Sequence, residues 1–115
     1  LGPMVRRGDD EWLAIVKWTV YGLIEAEEYG ITSETVNNLK NDSTDPVVLR
    51  LLGKSEDTGK LLGLDREWLA RAVMAVGNYG EIFDKHLGEK TPLGLKRGLN
   101  AQWNKGGLQY AIPIR

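Results

Sequence analysis

The sequence has no cysteine and only one histidine, and these shortages exclude several kinds of chemistry. Without thiols the chain cannot form a disulfide, a zinc–thiolate site or a cysteine nucleophile. The 15 Lys and Arg residues nearly balance the 16 Asp and Glu residues, so the net charge of −1 points to no particular partner. The longest mainly apolar stretch, residues 12–24, is interrupted by Lys17. It falls short of the roughly 20 apolar residues that cross a bilayer, so no membrane insertion is expected.

The composition is that of one ordinary folded domain, with 42% hydrophobic and 27% charged residues in a chain of 115. No block with period-two alternation is present, so the predicted fold class is mainly α. The predicted division is an extended lead over residues 1–8, a helical body over 9–88, and an extended tail with a short helix over 89–115. The chain opens LGPM with no charged-then-apolar leader, which favours a processed chain or a piece of a longer one.

A long amphipathic helix is predicted to begin near Asp10, because Asp9 and Asp10 offer N-cap and first-turn carboxylates. Gly30 is placed to supply its left-handed C-cap. The apolar stripe recurs at spacings of three and four, through Trp12, Ile15, Val16, Thr19, Val20 and Leu23. The polar residues gather on the opposite side, namely Asp10, Lys17, Tyr21, Glu25 and Glu28.

Shorter elements are predicted in the middle of the chain. Thr32 has the chemistry of an N-cap for a helix over 33–41. Asp45 followed by Pro46 is typical of a helix start, and predicts a helix over 47–52 that ends at Gly53. Residues 54–64 are glycine-rich and are predicted to form a loop with one helical turn.

A second long helix is predicted to start at Asp65, with apolar residues at spacings of three and four through Trp68, Ala72, Val76, Tyr79, Phe83 and Leu87. Gly77 and Gly80 lie inside it, so either a neighbouring element approaches closely there or the helix breaks. The pattern favours a continuous helix. A short helix over 96–104 and an extended end over 108–115 follow.

Two residues are the first candidates for chemistry, and each has a simpler structural interpretation. His86 has no cysteine or second histidine as a partner, so a structural role at the negative end of a helix is favoured over a metal or catalytic one. Glu81, between Tyr79 and Phe83, is the most enclosed carboxylate, but no second carboxylate is placed opposite it for glycosidase-like acid–base catalysis. A solvated glutamate on a helix face is the favoured interpretation.

The end of the chain mixes basic and aromatic residues, a pattern that can bind nucleic acid. The basic residues are Lys90, Lys96, Arg97, Lys105 and Arg115, with Trp103 and Tyr110 among them. They do not cluster, so no nucleic-acid partner is predicted. Gly2 and the pair Gly106–Gly107 lack the frame of a phosphate-binding loop and are interpreted as turns. Of the four tryptophans, Trp12, Trp68 and Trp103 are predicted in the core, and Trp18 at its edge.

Three long strings of the sequence resemble one known family. They are LGPMVRRGDDEW at 1–12 with IVKWT at 15–19, GNYGEIF at 77–83, and RGLNAQWNKGGLQYAIPIR at 97–115. Together they resemble the late part of the periplasmic general L-amino-acid-binding proteins of ABC importers. The resemblance extends over nearly the whole chain.

The resemblance implies that the chain is the C-terminal third of a two-lobed α/β clamshell that captures an amino acid and delivers it to a membrane permease. Residues 1–7 would then be a strand returning near the hinge, and the helices would cover the first lobe. The residues that hold the ligand would lie upstream of residue 1. No ligand-binding, catalytic or metal residue and no cofactor is therefore assigned, and Arg6, Arg7, Asp9 and Asp10 are interpreted as a strand end and a helix cap.

Two functions from different classes remain open at this point. In the first, the chain is a structural part of a periplasmic transport protein, is not an enzyme and does not bind amino acid by itself, because the cleft that would desolvate the ligand is absent. In the second, the helices form an autonomous interaction module that uses apolar surface exposed to solvent.

Overall fold

A computed structural model describes residues 1–114, and within them the chain is mainly helical. The helices are α1 (Asp10–Glu28), α2 (Val36–Asp42), α3 (Pro46–Leu51), α4 (Trp68–Val76) and α5 (Tyr79–His86). Short 3-10 turns cover Lys60–Leu62, Gly98–Asn100 and Trp103–Lys105. In this part of the chain the β-structure is one isolated bridge between Gln102 and Gln109. The prediction of a mainly α chain is confirmed.

The first helix begins and ends where its capping residues predict. The carboxylate of Asp9 accepts a hydrogen bond from the Trp12 amide at 3.0 Å. At the other end Gly30 adopts a φ of 69°. The Ile31 amide then reaches back to the Ala26 carbonyl at 2.8 Å, which satisfies a carbonyl of the last turn.

The middle helices follow their predicted caps with small shifts. Asp45 accepts from the Val47 amide at 2.9 Å, so α3 starts at Pro46. The Thr32 hydroxyl accepts from the Thr35 amide at 3.1 Å, but this first turn is not α-helical and α2 begins at Val36. The predicted turn within the 54–64 loop is the 3-10 turn Lys60–Leu62.

The prediction of a continuous second helix is wrong, because the chain breaks between α4 and α5. Gly77 has φ 85° and ψ −178°, a backbone conformation that residues other than glycine rarely adopt. Asn78 then caps a new helix, where its side chain accepts from the Glu81 amide at 3.0 Å. The start is also later than predicted. Asp65 accepts from the Glu67 amide at 3.3 Å but precedes the first helical residue, Trp68.

The predicted short helix over 96–104 is likewise replaced by two 3-10 turns. Ala101 lies between them in an extended conformation, with φ −72° and ψ 164°. The Gln109 amide donates to the Ala101 carbonyl at 3.1 Å, and the Trp103 amide donates to the Gln109 carbonyl at 2.9 Å. These hydrogen bonds fold the tail back on itself, and they take the place of helical ones.

The core lies where the second half of α1 packs against α4, and α2 packs in turn against α4 and α3. Its members are Leu23, Ala26, Ile31, Val36, Val48, Leu51, Leu52, Trp68, Leu69, Ala70, Val73 and Ile114. Trp68 is buried as predicted, and Trp18 is half-buried against the core edge. The prediction that Trp12 and Trp103 belong to the core is wrong, since each is 52% exposed.

No helix in the described part of the chain is long and apolar enough to span a membrane.

The break at Gly77 provides a first test of this fold. A Cβ at this position would lie 2.7 Å from that of Glu81, in addition to the unfavourable φ. Gly77→Ala should therefore lower the free energy of unfolding by about 1–3 kcal/mol in urea denaturation. Gly2→Ala is the matched control, because the corresponding Cβ has open space around it. Equal stability of the two variants would contradict the break.

Candidate functional site

The last turns of α1 carry three carboxylates that hold the chain's tail. Glu25 accepts a hydrogen bond from the Ile114 amide at 3.1 Å. Glu27 binds the Arg97 guanidinium, and Glu28 accepts from the indole nitrogen of Trp103 at 2.8 Å. We call these three glutamates the acidic turn. Negative charge is unfavourable at a helix C-terminus, and here it is offset by donors from the tail.

Arg97 makes the most extensive of these contacts. Its two terminal nitrogens bind the two Glu27 oxygens at 2.8 and 2.9 Å, a bidentate pair that is largely shielded from water. Its guanidinium carbon also lies 5.7 Å from the ring centre of Tyr79 and 5.5 Å from that of Phe83. Stacking on two rings favours the cation further. Hydrogen bonds to Glu27 are the main reason that the pKa of Arg97 is raised above its usual value.

Gly80 explains how this pair comes so close to α5. A Cβ at this position would clash with a Glu27 carboxylate oxygen and would lie 2.8 Å from an Arg97 nitrogen. The two possibilities raised for the glycines of this region are therefore both realised. The helix breaks at Gly77, and a neighbouring element approaches closely at Gly80.

The prediction that Glu25 belongs to the polar side of α1 is wrong, because its side chain is buried. The residue is 3% exposed and lies beneath the tail. Burial raises the pKa of its carboxyl, an effect that the hydrogen bond from the Ile114 amide partly offsets. The carboxylate therefore joins the chain's end to the core.

Glu81 is not the solvated glutamate that the sequence favoured. Its carboxylate accepts from the Asn78 amide at 2.7 Å and from the Ser33 hydroxyl at 2.7 Å. The Asn78 side chain in turn donates to the Ile31 carbonyl at 2.9 Å. These hydrogen bonds join the start of α5 to the segment that follows α1, so the role of Glu81 is structural.

Among the other candidates from the sequence, Lys90, Lys96 and Arg97 line one depression of about 420 Å³. His86 is exposed at the last residue of α5, as predicted for the negative helix end. Lys90, Lys96 and Lys105 are exposed, whereas Arg97 is bound to Glu27. Gly106 forms a turn with φ 87°, and Arg115 lies outside the described residues. Among residues 1–114 no group of three or more metal-ligating side chains is found.

An apolar cavity of about 400 Å³ lies between the lead, α1 and α5. Its walls include Pro3, Val20, Leu23, Ile82 and Phe83, and His86 is also among its lining residues. Such walls can hold aliphatic side chains. They offer no pair of opposite charges for the carboxylate and ammonium of an amino acid, which need partners when they leave water.

The chain has relatives among named periplasmic binding proteins. It is 55% identical over 117 residues to the general L-amino acid-binding periplasmic protein AapJ of Rhizobium johnstonii. The match covers 100% of this chain and 34% of that protein. It is 50% identical over 115 residues to the glutamate/glutamine/aspartate/asparagine-binding protein BztA of Rhodobacter capsulatus, again over 34% of that protein. No protein-family model matches the chain.

A solved structure gives the same result for the fold. The chain is similar to an ABC transporter periplasmic binding protein from Brucella ovis with glutathione bound, at 50% identity and a TM-score of 0.88. The match covers 96% of this chain and 35% of that one. The chain thus spans about a third of the length of the relatives it matches.

The chain is mainly helical and matches about a third of a periplasmic binding protein in both fold and sequence. The chain is similar over its whole length to amino-acid-binding proteins of ABC transporters, so the resemblance seen in its sequence is confirmed. The relatives are named as binding proteins, in agreement with the prediction that the chain is not an enzyme.

The Arg97–Glu27 pair gives a second prediction. Arg97→Gln leaves the Glu27 carboxylate shielded without its cation, so the free energy of unfolding should fall by about 2 kcal/mol or more. Amide hydrogen exchange in the tail should accelerate with it. Arg71→Gln is the matched control, because its ion pair with Asp65 at 2.7 Å is largely exposed and contributes little. An Arg97 variant no less stable than the control would refute this role.

Buried Glu25 predicts a pH dependence. Because its pKa is raised on folding, its contribution to stability is present below the unfolded value near 4.5 and is lost as pH rises through the folded pKa. Gln cannot titrate. The stability of wild type relative to Glu25→Gln should therefore increase as pH falls from neutral towards 4.5, measured by urea denaturation.

Exposed Glu34→Gln controls for the loss of one carboxylate in this comparison. A difference between wild type and Glu25→Gln that stays constant with pH, or that changes in the opposite direction, would contradict the prediction.

Proposed function

We propose that this chain is the C-terminal part of the substrate-binding component of an ABC-type amino-acid importer, and that it supports one lobe without binding the ligand by itself. The identity of 50–55% across the whole chain, over about a third of each relative, carries the proposal. The full protein would act in the periplasm and deliver its ligand to a membrane permease. Both expectations rest on the relatives being periplasmic ABC-transporter proteins.

The shielded charged side chains bind groups of the same chain, which agrees with a structural role. An amino acid needs a cation or amides for its carboxylate and an anion for its ammonium, within an enclosed cleft. The shielded carboxylates Glu25, Glu27 and Glu81 already accept hydrogen bonds from the chain itself, and Arg97 is bound to Glu27. Ligand-holding groups are therefore expected in the remainder of the protein.

The ligand class we propose for the full protein is a molecule with a free α-amino-acid group. AapJ is named for L-amino acids in general, and the Brucella ovis structure holds glutathione. Glutathione carries an α-ammonium and an α-carboxylate at its γ-glutamyl end, as a free amino acid does. Recognition of that shared group would account for both.

Isothermal titration calorimetry tests the proposal. The full-length gene product should bind L-glutamate, L-glutamine or glutathione, whereas this chain alone should give no binding heat with any of them. The physical reason is that, among the described residues, the apolar cavity beside the lead offers no pair of opposite charges. The depression of mixed charge at Asp84, Glu89, Lys90 and Lys96 has exposed walls, which would leave a bound ion hydrated. Micromolar binding by the isolated chain would contradict its supporting role, and a full-length product that binds none of the three would contradict the ligand class.

The alternative of an autonomous interaction module is favoured by one observation, the large apolar side chains at the surface. Trp12, Leu61 and Leu108 are among those exposed. Size-exclusion chromatography with light scattering separates the two functions. A protein that occurs naturally as the free chain and forms a defined complex through these residues would favour the module.

A further inference from the structure

The tail carries a group of large exposed side chains on one short segment. Residues 98–110 contain the 3-10 turns Gly98–Asn100 and Trp103–Lys105, and they fold back through the bridge between Gln102 and Gln109. We call this segment the tail lobe. Its large side chains are 52–71% exposed, namely Leu99, Trp103, Leu108 and Tyr110. Apolar side chains grouped at the surface in this way mark an interaction surface.

The backbone brings these side chains together. The Leu108 amide donates to the Leu99 carbonyl at 2.8 Å, so the two leucines lie on neighbouring stretches. Leu108 and Tyr110 flank the bridge residue Gln109, and alternate residues of an extended stretch point to the same side. The ring centres of Tyr110 and Trp103 are 5.9 Å apart. The tail lobe therefore presents two leucines, a tryptophan and a tyrosine as one group.

The tail lobe also pairs much of its own backbone. Five of its amides donate to carbonyls of the same segment at 2.8–3.1 Å, those of Trp103, Lys105, Gly107, Leu108 and Gln109. A segment that leaves bulk water must already have its peptide groups paired, because an unpaired group costs free energy in apolar surroundings. The tail lobe meets this requirement to a large extent without a partner.

Charge and aromatic content select the occupant. Between residues 90 and 114 there is no Asp or Glu, and Lys96 and Lys105 are exposed without an ion pair among the described residues. Half-buried Glu28 contacts the lobe by accepting from the Trp103 indole nitrogen at 2.8 Å. Leucine, tryptophan and tyrosine beside lysine are suited to the boundary between water and lipid, where lysine attracts anionic headgroups.

We propose that the tail lobe is a peripheral docking surface for an anionic phospholipid bilayer. Its leucines and rings enter the headgroup region, its lysines contact anionic headgroups, and the helices remain in water. No membrane-spanning segment is involved, and the inference does not rest on the proposed function. If the full protein acts as proposed, docking would bring it to the membrane that holds its permease.

Co-sedimentation with vesicles tests the proposal, with phosphatidylglycerol mixed into phosphatidylcholine in one set and phosphatidylcholine alone in the other. This chain and the full-length gene product should both bind the anionic vesicles. Leu108→Ser should lower the partition coefficient about tenfold, because it removes an inserted side chain. Lys105→Gln should lower it about fivefold, through the lost attraction to the headgroups. Both side chains are exposed, so the fold should be unaffected.

The turn Lys60–Leu62 supplies matched controls outside the tail lobe. Leu61 is 99% exposed and Lys60 is also exposed, so Leu61→Ser and Lys60→Gln should leave the partition coefficient unchanged. A polarity-sensitive dye reports placement, because the chain has no cysteine of its own. On anionic vesicles the emission of a dye attached to Leu108→Cys should shift to the blue, whereas that of a dye attached to Leu61→Cys should not.

Several results would overturn the proposal. The first is equal binding by Leu108→Ser and Leu61→Ser, and the second is equal binding to vesicles with and without phosphatidylglycerol. A dye shift at position 108 that grows with protein concentration in the absence of vesicles would indicate a second copy as the occupant. Binding by this chain but not by the full-length product would indicate that other polypeptide covers the tail lobe.

Discussion

The bidentate pair between Arg97 and Glu27 is the interaction on which the arrangement of this chain depends. It joins the tail to the end of α1, and the Arg97 guanidinium lies against the aromatic rings of Tyr79 and Phe83 on α5. Because Gly80 has no side chain, α5 can approach the pair closely. One cation thus holds together three segments that are far apart in sequence, in surroundings where removal of either partner would leave a shielded charge.

This use of charge connects the fold to the proposed role. The acidic turn and Glu81 direct their carboxylates at donors of the same chain, so the chain's shielded charges maintain its own structure. Its apolar residues are divided differently. One set forms the core between α1 and α4, and another lines the cavity between the lead, α1 and α5. A segment whose shielded carboxylates are bound by its own donors and whose apolar cavity is open is suited to packing against a larger partner.

Local chemistry made much of the secondary structure predictable. Asp9, Gly30 and Asp45 act at short range, and each ends or starts a helix as its chemistry predicts. The failures arose where tertiary contacts decide. Trp12 lies on the apolar stripe of α1 but on a part of it that this chain does not cover, so periodicity alone placed it in the core. At Gly77 the apolar spacing continued across a break. The two glycines had raised a break as a possibility, and the N-cap at Asn78 could have decided for it.

The candidate site was less predictable, because it is built from residues distant in sequence. Two signals could have indicated the acidic turn. Glu25, Glu27 and Glu28 oppose the helix dipole at the end of α1, and residues 90–115 contain basic side chains without any Asp or Glu. Each feature is ordinary alone, and their complementarity predicts a contact only when the two are considered together.

The mass and location of the polypeptide that contains this chain decide whether it works as one third of a periplasmic binding protein. Mass spectrometry of periplasmic and cytoplasmic fractions from the source cells, guided by peptides from residues 10–90, would identify that polypeptide. We expect a single periplasmic protein about three times the length of this chain. A free polypeptide of 115 residues in the cytoplasm, with no longer form, would contradict it.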